Sequence, residues 1–141
     1  DSHRRQRQMC IRDRAWTVAK KSNLDLIKAY KGIAVSSGNS FVHETESQVI
    51  LNGSYNINFT MDLVLKDAGL FDELAKKLNA SLEISPKIVD IFKDGQKKYG
   101  SRAWSSMIVK RMEDINQINF RAEGFPEELV DNEPEKRGHE I

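Results

Sequence analysis

Residues 59–80, FTMDLVLKDAGLFDELAKKLNA, form the longest uninterrupted helical pattern in the chain. Apolar residues recur there every three or four positions, which is the spacing of one face of an α-helix. They are Phe59, Leu63, Val64, Leu70, Phe71, Leu74, Ala75 and Leu78. We expect this face to be the centre of a helical core. Gly69 interrupts the pattern at a cost of about 1 kcal/mol relative to alanine, which indicates that another group approaches this turn of backbone closely.

The remaining helices are marked by apolar spacing together with a capping residue or a helix breaker. They are residues 15–21, which have the pattern of a helix end, then 25–35, 41–51, 85–99 and about 105–115. No segment alternates with period two over the length of a strand. The sequence therefore predicts an all-α domain of five or six helices.

Length and composition limit the class of protein. A chain of 141 residues, 39% apolar and 30% charged, is typical of one globular domain. No apolar run approaches the ~20 residues that span a bilayer, and no secretory signal is present. The net charge of +1 argues against nucleic acid as a partner. A single cysteine, Cys10, excludes a disulfide framework, so we expect a cytoplasmic protein without a membrane partner.

The first fourteen residues, DSHRRQRQMCIRDR, are compositionally distinct and have two interpretations. Five arginines in this segment fit a basic arm for nucleic acid or an acidic surface. Residues 4–13 also resemble the in-frame translation of a transposase-type sequencing adapter, and we favour this second interpretation. Residues 1–14 are then an artefact and are expected to be disordered. Removing their five Arg and two Asp from 22 basic and 21 acidic residues leaves a net charge of −2.

The C-terminal residues form a second segment of distinct composition. From residue 123 the sequence is rich in glutamate and contains two prolines. It is too polar to form a core, and we expect an acidic tail over residues 123–141 that is extended over the surface or loose. The expected domain thus covers residues 15–122.

Recognised catalytic and metal-binding motifs are absent from the sequence. His43 is the only histidine in the body of the domain, and we expect it at the surface or in a cap. No second His or Cys lies at the spacing of a metal site, so no metal is predicted. The adjacent acidic residues Glu113 and Asp114 point in different directions on a helix, which favours a solvated face.

Two runs carry a family resemblance, SSGNSF at residues 36–41 and LNGSYNINFTMDLVLKDAGL at residues 51–70. Their pattern is an aromatic after a Gly-x-Ser helix start, a Gly-x-Tyr turn, and then Phe, Leu and Lys-Asp at fixed spacing. This resembles the C-terminal helical domain of the β-hydroxyacid dehydrogenases, the 3-hydroxyisobutyrate dehydrogenase family. The likeness covers residues 15 to about 115, and residues 124–138 are similar to the tails of one branch of the family.

The resemblance implies an NAD- or NADP-dependent enzyme whose N-terminal Rossmann domain is missing here. Such an enzyme transfers hydride between a 3-hydroxy acid, or its semialdehyde, and nicotinamide, and acts as a homo-oligomer. Its catalytic lysine, a general acid and base near the start of the interdomain helix, would lie upstream of Ala15. No catalytic residue is therefore expected in this chain, which alone should be inactive. Lys20 and Lys21 lack the context of the catalytic lysine.

Three residues of this chain match the part of the family pattern that meets the cofactor. The resemblance implies that Lys66 reaches the cofactor across the interdomain cleft and that Asp67 orients it or a neighbouring backbone group. Phe59 either lines the same cleft or packs in the core, and the alternative for Lys66 is a solvated helix lysine. The sequence departs from the family at residues 99–106, which leaves the substrate open. A different class of function, a freestanding helical interaction module with a basic N-terminal arm, also remains open.

Overall fold

The computed structural model describes the backbone of residues 2–132 and the side chains of residues 5–132. Within this range it contains six α-helices and one 3₁₀ segment, and no strand. The expectation of an all-α domain with five or six helices is confirmed for the described residues. The helices are α1 (Ser2–Lys21), α2 (Leu26–Ala34), α3 (Phe41–Asn52), α4 (Met61–Lys77), α5 (Ser85–Tyr99) and α6 (Lys110–Asn116), and the 3₁₀ segment (Ser105–Val109) directly precedes α6.

Local side-chain chemistry sets the helix boundaries. The carboxylate of Asp25 accepts a hydrogen bond of 2.9 Å from the Lys28 N–H, which caps α2. The hydroxyl of Ser40 accepts one of 3.1 Å from the His43 N–H and caps α3 in the same way. Helix α3 ends at Gly53, whose φ of +95° is a left-handed conformation that glycine adopts without steric cost.

Helix α1 lies at the centre of the bundle, because it packs against each of the other helices and against the 3₁₀ segment. Its Trp16 is 1% exposed and meets the ring of Phe120 edge-on at a centroid distance of 5.8 Å. The core around Trp16 is formed by apolar residues from every element, among them Leu26, Ile50, Leu51, Met61, Phe92 and Ile108. Our expectation that residues 59–80 form the centre of the core is therefore wrong.

The second half of α4 explains this difference. The buried side chains of α4 are Met61, Val64 and Ala68, whereas Leu70 and Leu74 are 59% and 54% exposed. At 100° per residue, Ala68 and Leu70 lie about 160° apart around the helix, so they cannot face the same partner. The expected apolar face is thus buried only near its beginning. Its remaining large residues, which also include Phe71 and Leu78, lie on the surface.

The N-terminal residues also differ from expectation. Residues 2–14 are the first part of α1, so the expectation that residues 1–14 are disordered is wrong for the described part. The reason is packing: Met9 and Cys10 join the hydrophobic core, and Arg12 and Asp13 are buried beside them. The expected helix end at residues 15–21 is the end of α1. The origin of residues 4–13 as a translated adapter stays a prediction.

The chain after α6 is held against the bundle, and we call residues 118–132 the C-terminal strap. Phe120 is fully buried, and the Ala122 N–H donates a hydrogen bond of 3.0 Å to the Leu51 carbonyl. Farther along, the Ser54 hydroxyl donates one of 2.6 Å to the Glu127 carbonyl. The described part of the expected acidic tail, residues 123–132, therefore lies on the surface of the bundle. The rest of that tail, residues 133–141, lies outside the described residues.

Candidate functional site

A cleft of about 590 Å³ lies where four parts of the described chain meet. One wall is formed by the loop before α4 and by α4 itself, and the others by the first half of α1, by α3 and by the C-terminal strap. By area its lining is mostly apolar, with three acidic side chains and the cationic Arg5, which is typical of small-molecule sites. The lining includes Phe59, Val64 and Asp67 from the α4 side, Glu46 from α3, and Leu129 and Asp131 from the strap.

Two of the three residues expected at a cofactor site line this cleft. Phe59 and Asp67 are both partly buried lining residues, eight positions apart in sequence. The backbone around Phe59 is fixed, because its carbonyl accepts a hydrogen bond of 2.8 Å from the Ser105 N–H. The structure thus brings Phe59 and Asp67 to one site.

Lys66 has a different position. It adjoins Asp67 in the same turn of α4, is exposed, and is not among the lining residues of the cleft. Its ammonium group makes no hydrogen bond or ion pair with any residue that the structure describes. Among the described residues Lys66 is therefore a cation on a rigid helix next to the cleft, available to a group that this chain does not supply.

Glu46 is an acidic residue of the cleft that sequence reasoning missed. It lies on α3 and is 8% exposed, and its Oε2 atom makes no hydrogen bond within the described chain. Burial raises the pKa of the Glu46 carboxyl group, and the charge of Arg12 acts against this rise. Burial likewise lowers the pKa of the Arg12 guanidinium. No sequence signal marks Glu46, because its burial depends on α1 packing over α3.

His43 is buried, so our expectation of a surface or capping histidine is wrong. It is 1% exposed, its Nε2 lies 2.8 Å from the Tyr30 carbonyl, and its Nδ1 lies 3.4 Å from the Ser47 hydroxyl. The ring also stacks on Tyr30 at 4.8 Å between centroids. Burial lowers the pKa of His43. These contacts join α2 to α3 and give His43 a structural position outside the lining of the cleft.

Glu113 is also buried, at 4% exposure, so our assignment of it to a solvated face is wrong. Its carboxylate accepts hydrogen bonds from the Tyr55 hydroxyl and, at 3.3 Å, from the Phe120 N–H. Arg121 donates a hydrogen bond of 2.9 Å to the same Tyr55 hydroxyl and lies 3.3 Å from Glu113 Oε2. This network fixes the start of the C-terminal strap to the loop that leads into α4.

In the part of the chain that the structure describes, no three His, Cys, Asp or Glu residues are grouped so that they could hold a metal ion. None of the described helices is both long enough and apolar enough to cross a bilayer.

Comparison with known proteins adds two findings. A family model described as NAD-binding of NADP-dependent 3-hydroxyisobutyrate dehydrogenase matches residues 8–112. The L-threonate dehydrogenase of Haemophilus influenzae is 26% identical over 95 residues, which are 67% of this chain and 32% of that protein. The L-threonate dehydrogenase of Escherichia coli K12 is 25% identical over 95 residues, with the same two shares.

The chain spans about a third of the length of these curated relatives. The match to the family model covers well over half of the chain, from the middle of α1 into α6, and therefore includes α4 with Lys66 and Asp67. The all-helical structure of the described residues agrees with the helical C-terminal domain of that family. The chain belongs to the family of the NAD-binding C-terminal domain of 3-hydroxyisobutyrate dehydrogenase-like proteins.

Proposed function

We propose that residues 15–122 are the C-terminal helical domain of an NAD(P)-dependent 3-hydroxyacid dehydrogenase. The enzyme would transfer hydride between a 3-hydroxy acid, or the corresponding semialdehyde, and nicotinamide. One observation carries the proposal: Phe59 and Asp67, which the family resemblance assigns to the cofactor, line one cleft. The family resemblance puts the catalytic lysine upstream of Ala15 on the helix that ends near Lys21. Helix α1 ends at Lys21, which agrees with that arrangement.

The cofactor would be NAD or NADP, bound mainly by a separate dinucleotide-binding domain. The exposed ammonium group of Lys66 suits polar or anionic groups of a dinucleotide, since a lysine side chain is flexible and positively charged. Asp67 would orient Lys66 or a neighbouring backbone group, and Phe59 would give an apolar contact in the cleft. The cofactor itself accepts or donates the hydride, whereas these three residues only bind and orient it.

The substrate is proposed as a class only. Both relatives are named as dehydrogenases of L-threonate, and a hydroxy acid agrees with the class that the family resemblance implies. We also propose a cytoplasmic enzyme that is a homo-oligomer at full length. The rival interpretation, an interaction module with a free basic arm, loses support because residues 2–14 are helical and buried in part.

The first test reads the DNA upstream of this coding sequence in the source sample. A continuous frame that encodes a strand, a glycine-rich turn and a helix is expected, and a stop codon with a promoter before Asp1 would contradict the proposal. This chain alone should not reduce semialdehydes with NADH or NADPH. Measurable turnover by residues 15–141 would show that the missing domain is not needed.

The second test uses the protein extended by that upstream frame. We expect Lys66→Ala to raise the KM for the dinucleotide by about tenfold, the loss of one charge-assisted contact. Lys77→Ala is a matched control, because Lys77 is an exposed lysine three turns farther along the same side of α4. Equal KM values for the two variants would remove Lys66 from the cofactor site.

A further inference from the structure

We propose that the C-terminal strap is a permanent wall of the cleft and that Leu129 is an apolar contact for the nicotinamide nucleotide bound there. This inference rests on the proposed function. The strap lies after residue 112, where the match to the family model ends, so nothing in the family match assigns it a role. It nevertheless contributes two residues to the lining of the cleft, Leu129 and Asp131.

The first anchor of the strap is buried. Phe120 is fully buried against Trp16, and its N–H donates a hydrogen bond to the Glu113 carboxylate. The neighbouring Arg121 lies over the ring of Tyr55, 5.1 Å from the centroid, and donates a hydrogen bond to its hydroxyl. Since the contacts of Phe120 lie inside the bundle, the beginning of the strap cannot move without opening the core.

A second set of anchors lies nearer to the cleft. The Asn52 amide donates a hydrogen bond of 2.9 Å to the Phe125 carbonyl, and the Ser54 hydroxyl donates one of 2.6 Å to the Glu127 carbonyl. The ring of Phe125 also meets Tyr30 edge-on at 5.3 Å between centroids. Glu127 is only two residues before Leu129, a reach of about 7 Å, so the anchors restrict where Leu129 can lie.

Leu129 and its neighbour Val130 are equally exposed apolar residues that face different directions. They are 40% and 41% exposed, but Leu129 lines the cleft and Val130 does not. A leucine that stays partly exposed at the wall of the cleft gains contact area when the flat nicotinamide ring enters. Val130 gains none, which makes it a control of matched exposure.

The experiment uses the protein extended by the upstream frame, labelled with ¹⁵N, because the proposed dinucleotide-binding domain belongs to that extension. It compares the parent with Leu129→Ala, Val130→Ala and a protein that ends at Pro126. NAD⁺ and NADP⁺ are titrated while the amide signals of Phe59 and Asp67 are followed. Separately, a soluble gadolinium chelate measures how well the same amides are covered without any ligand. Unchanged amide spectra elsewhere show that each variant is folded.

We expect Leu129→Ala to weaken dinucleotide binding about fivefold and Val130→Ala to change it less than about twofold, as expected for the loss of one apolar contact. The chain that ends at Pro126 should show faster gadolinium relaxation at Phe59 and Asp67. Unchanged gadolinium relaxation at Phe59 and Asp67 in that chain would contradict the proposal that the strap is a wall of the cleft. Equal binding by the two alanine variants would overturn the role of Leu129 and leave the proposed function intact. If neither dinucleotide shifts Phe59 or Asp67 in any variant, the cofactor site and the role of Leu129 both fail, whatever the relaxation shows.

Discussion

The hydroxyl of Tyr55 donates a hydrogen bond to the carboxylate of Glu113, 58 residues away in the sequence. Because that carboxylate also accepts from the Phe120 N–H, one buried acid holds two distant segments together. We predict that Glu113→Ala lowers the free energy of unfolding by about 3 kcal/mol, since it leaves buried donors without an acceptor. Tyr55→Phe should cost about 2 kcal/mol, because it removes two hydrogen bonds, the one that the hydroxyl donates to Glu113 and the one that it accepts from Arg121. Urea denaturation measures both values.

Asp114 is the control for this prediction, because it is the next residue but lies exposed on α6. Asp114→Ala should change the free energy of unfolding by no more than about 1 kcal/mol, because it loses only exposed contacts with Tyr99 and Lys110. Hydrogen exchange of residues 118–127 should accelerate in Glu113→Ala and stay unchanged in Asp114→Ala. Equal losses of stability in the two variants would mean that the strap is not held by Glu113.

Two helical glycines are predicted to respond to alanine in opposite directions. A Cβ atom at Gly69 would meet no side chain or neighbouring element of the described chain within 4 Å, so the close approach that we expected there is not made by this chain. Gly69→Ala should therefore stabilise α4 by about 0.5–1 kcal/mol. At Gly95 a Cβ atom would lie 2.6 Å from Ile108 Cδ1 and 3.3 Å from Met61 Cε, so alanine must displace the core.

Thermal unfolding of Gly69→Ala and Gly95→Ala tests this pair directly. The melting temperature should rise in the first variant and fall in the second. A loss of stability in Gly69→Ala would show that another group contacts this turn. In the protein that carries its dinucleotide-binding domain, the same variant would test whether Gly69 leaves room for that domain.

Local signals made the helix boundaries predictable. Asp25 and Ser40 cap the helices that follow them, and Gly53 ends α3, because each acts on backbone groups within a few residues. The buried side of α4 was not predictable in this way. Apolar residues occur on both sides of that helix, Met61 on one and Leu70 on the other, and only packing against α1 and α5 decides between them.

Only part of the candidate site was predictable, and local signals such as helix caps did not predict it. Phe59 and Asp67 came from the likeness to a family motif, since nothing in their local spacing requires a cleft. Glu46 and Leu129 could not be found from local sequence, because the cleft forms only when α3 and the strap meet α4. Glu113 was missed in the same way, since its partners are distant in sequence.

The stability of the chain should decrease between pH 4 and pH 7 through Asp13. Burial raises the pKa of its carboxyl group from 3.8 to about 7, although the neighbouring Arg14 opposes the rise. Between these two values the native state binds more protons than the unfolded state, so the free energy of unfolding falls as the pH rises. Each unit of difference corresponds to about 1.4 kcal/mol, and the full effect is a few kcal/mol.

Asp13→Asn should remove this loss of stability. The quantity to measure is the difference in the free energy of unfolding between parent and variant across pH 4–7. That difference removes the contribution of His43, because His43 is present in both proteins. The lowered pKa of His43 destabilises the fold as the pH falls, which is opposite to the effect of Asp13. If the free energies of unfolding of parent and variant changed in parallel with pH, the burial of Asp13 would be contradicted. A carboxyl pKa near 4 measured by NMR would contradict it too.

The exposed apolar face of α4 is predicted to drive self-association of this chain. Leu70, Leu74 and Leu78 are 59%, 54% and 68% exposed and lie on one side of the helix, next to Lys66. Contiguous apolar surface of this kind usually belongs to an interface.

Leu74→Glu should lower the weight-average mass measured by light scattering at high protein concentration, whereas Val35→Glu should not. Val35 is the control because it is 88% exposed but lies outside this face. If the parent chain were a monodisperse monomer at every concentration, this face would not drive self-association.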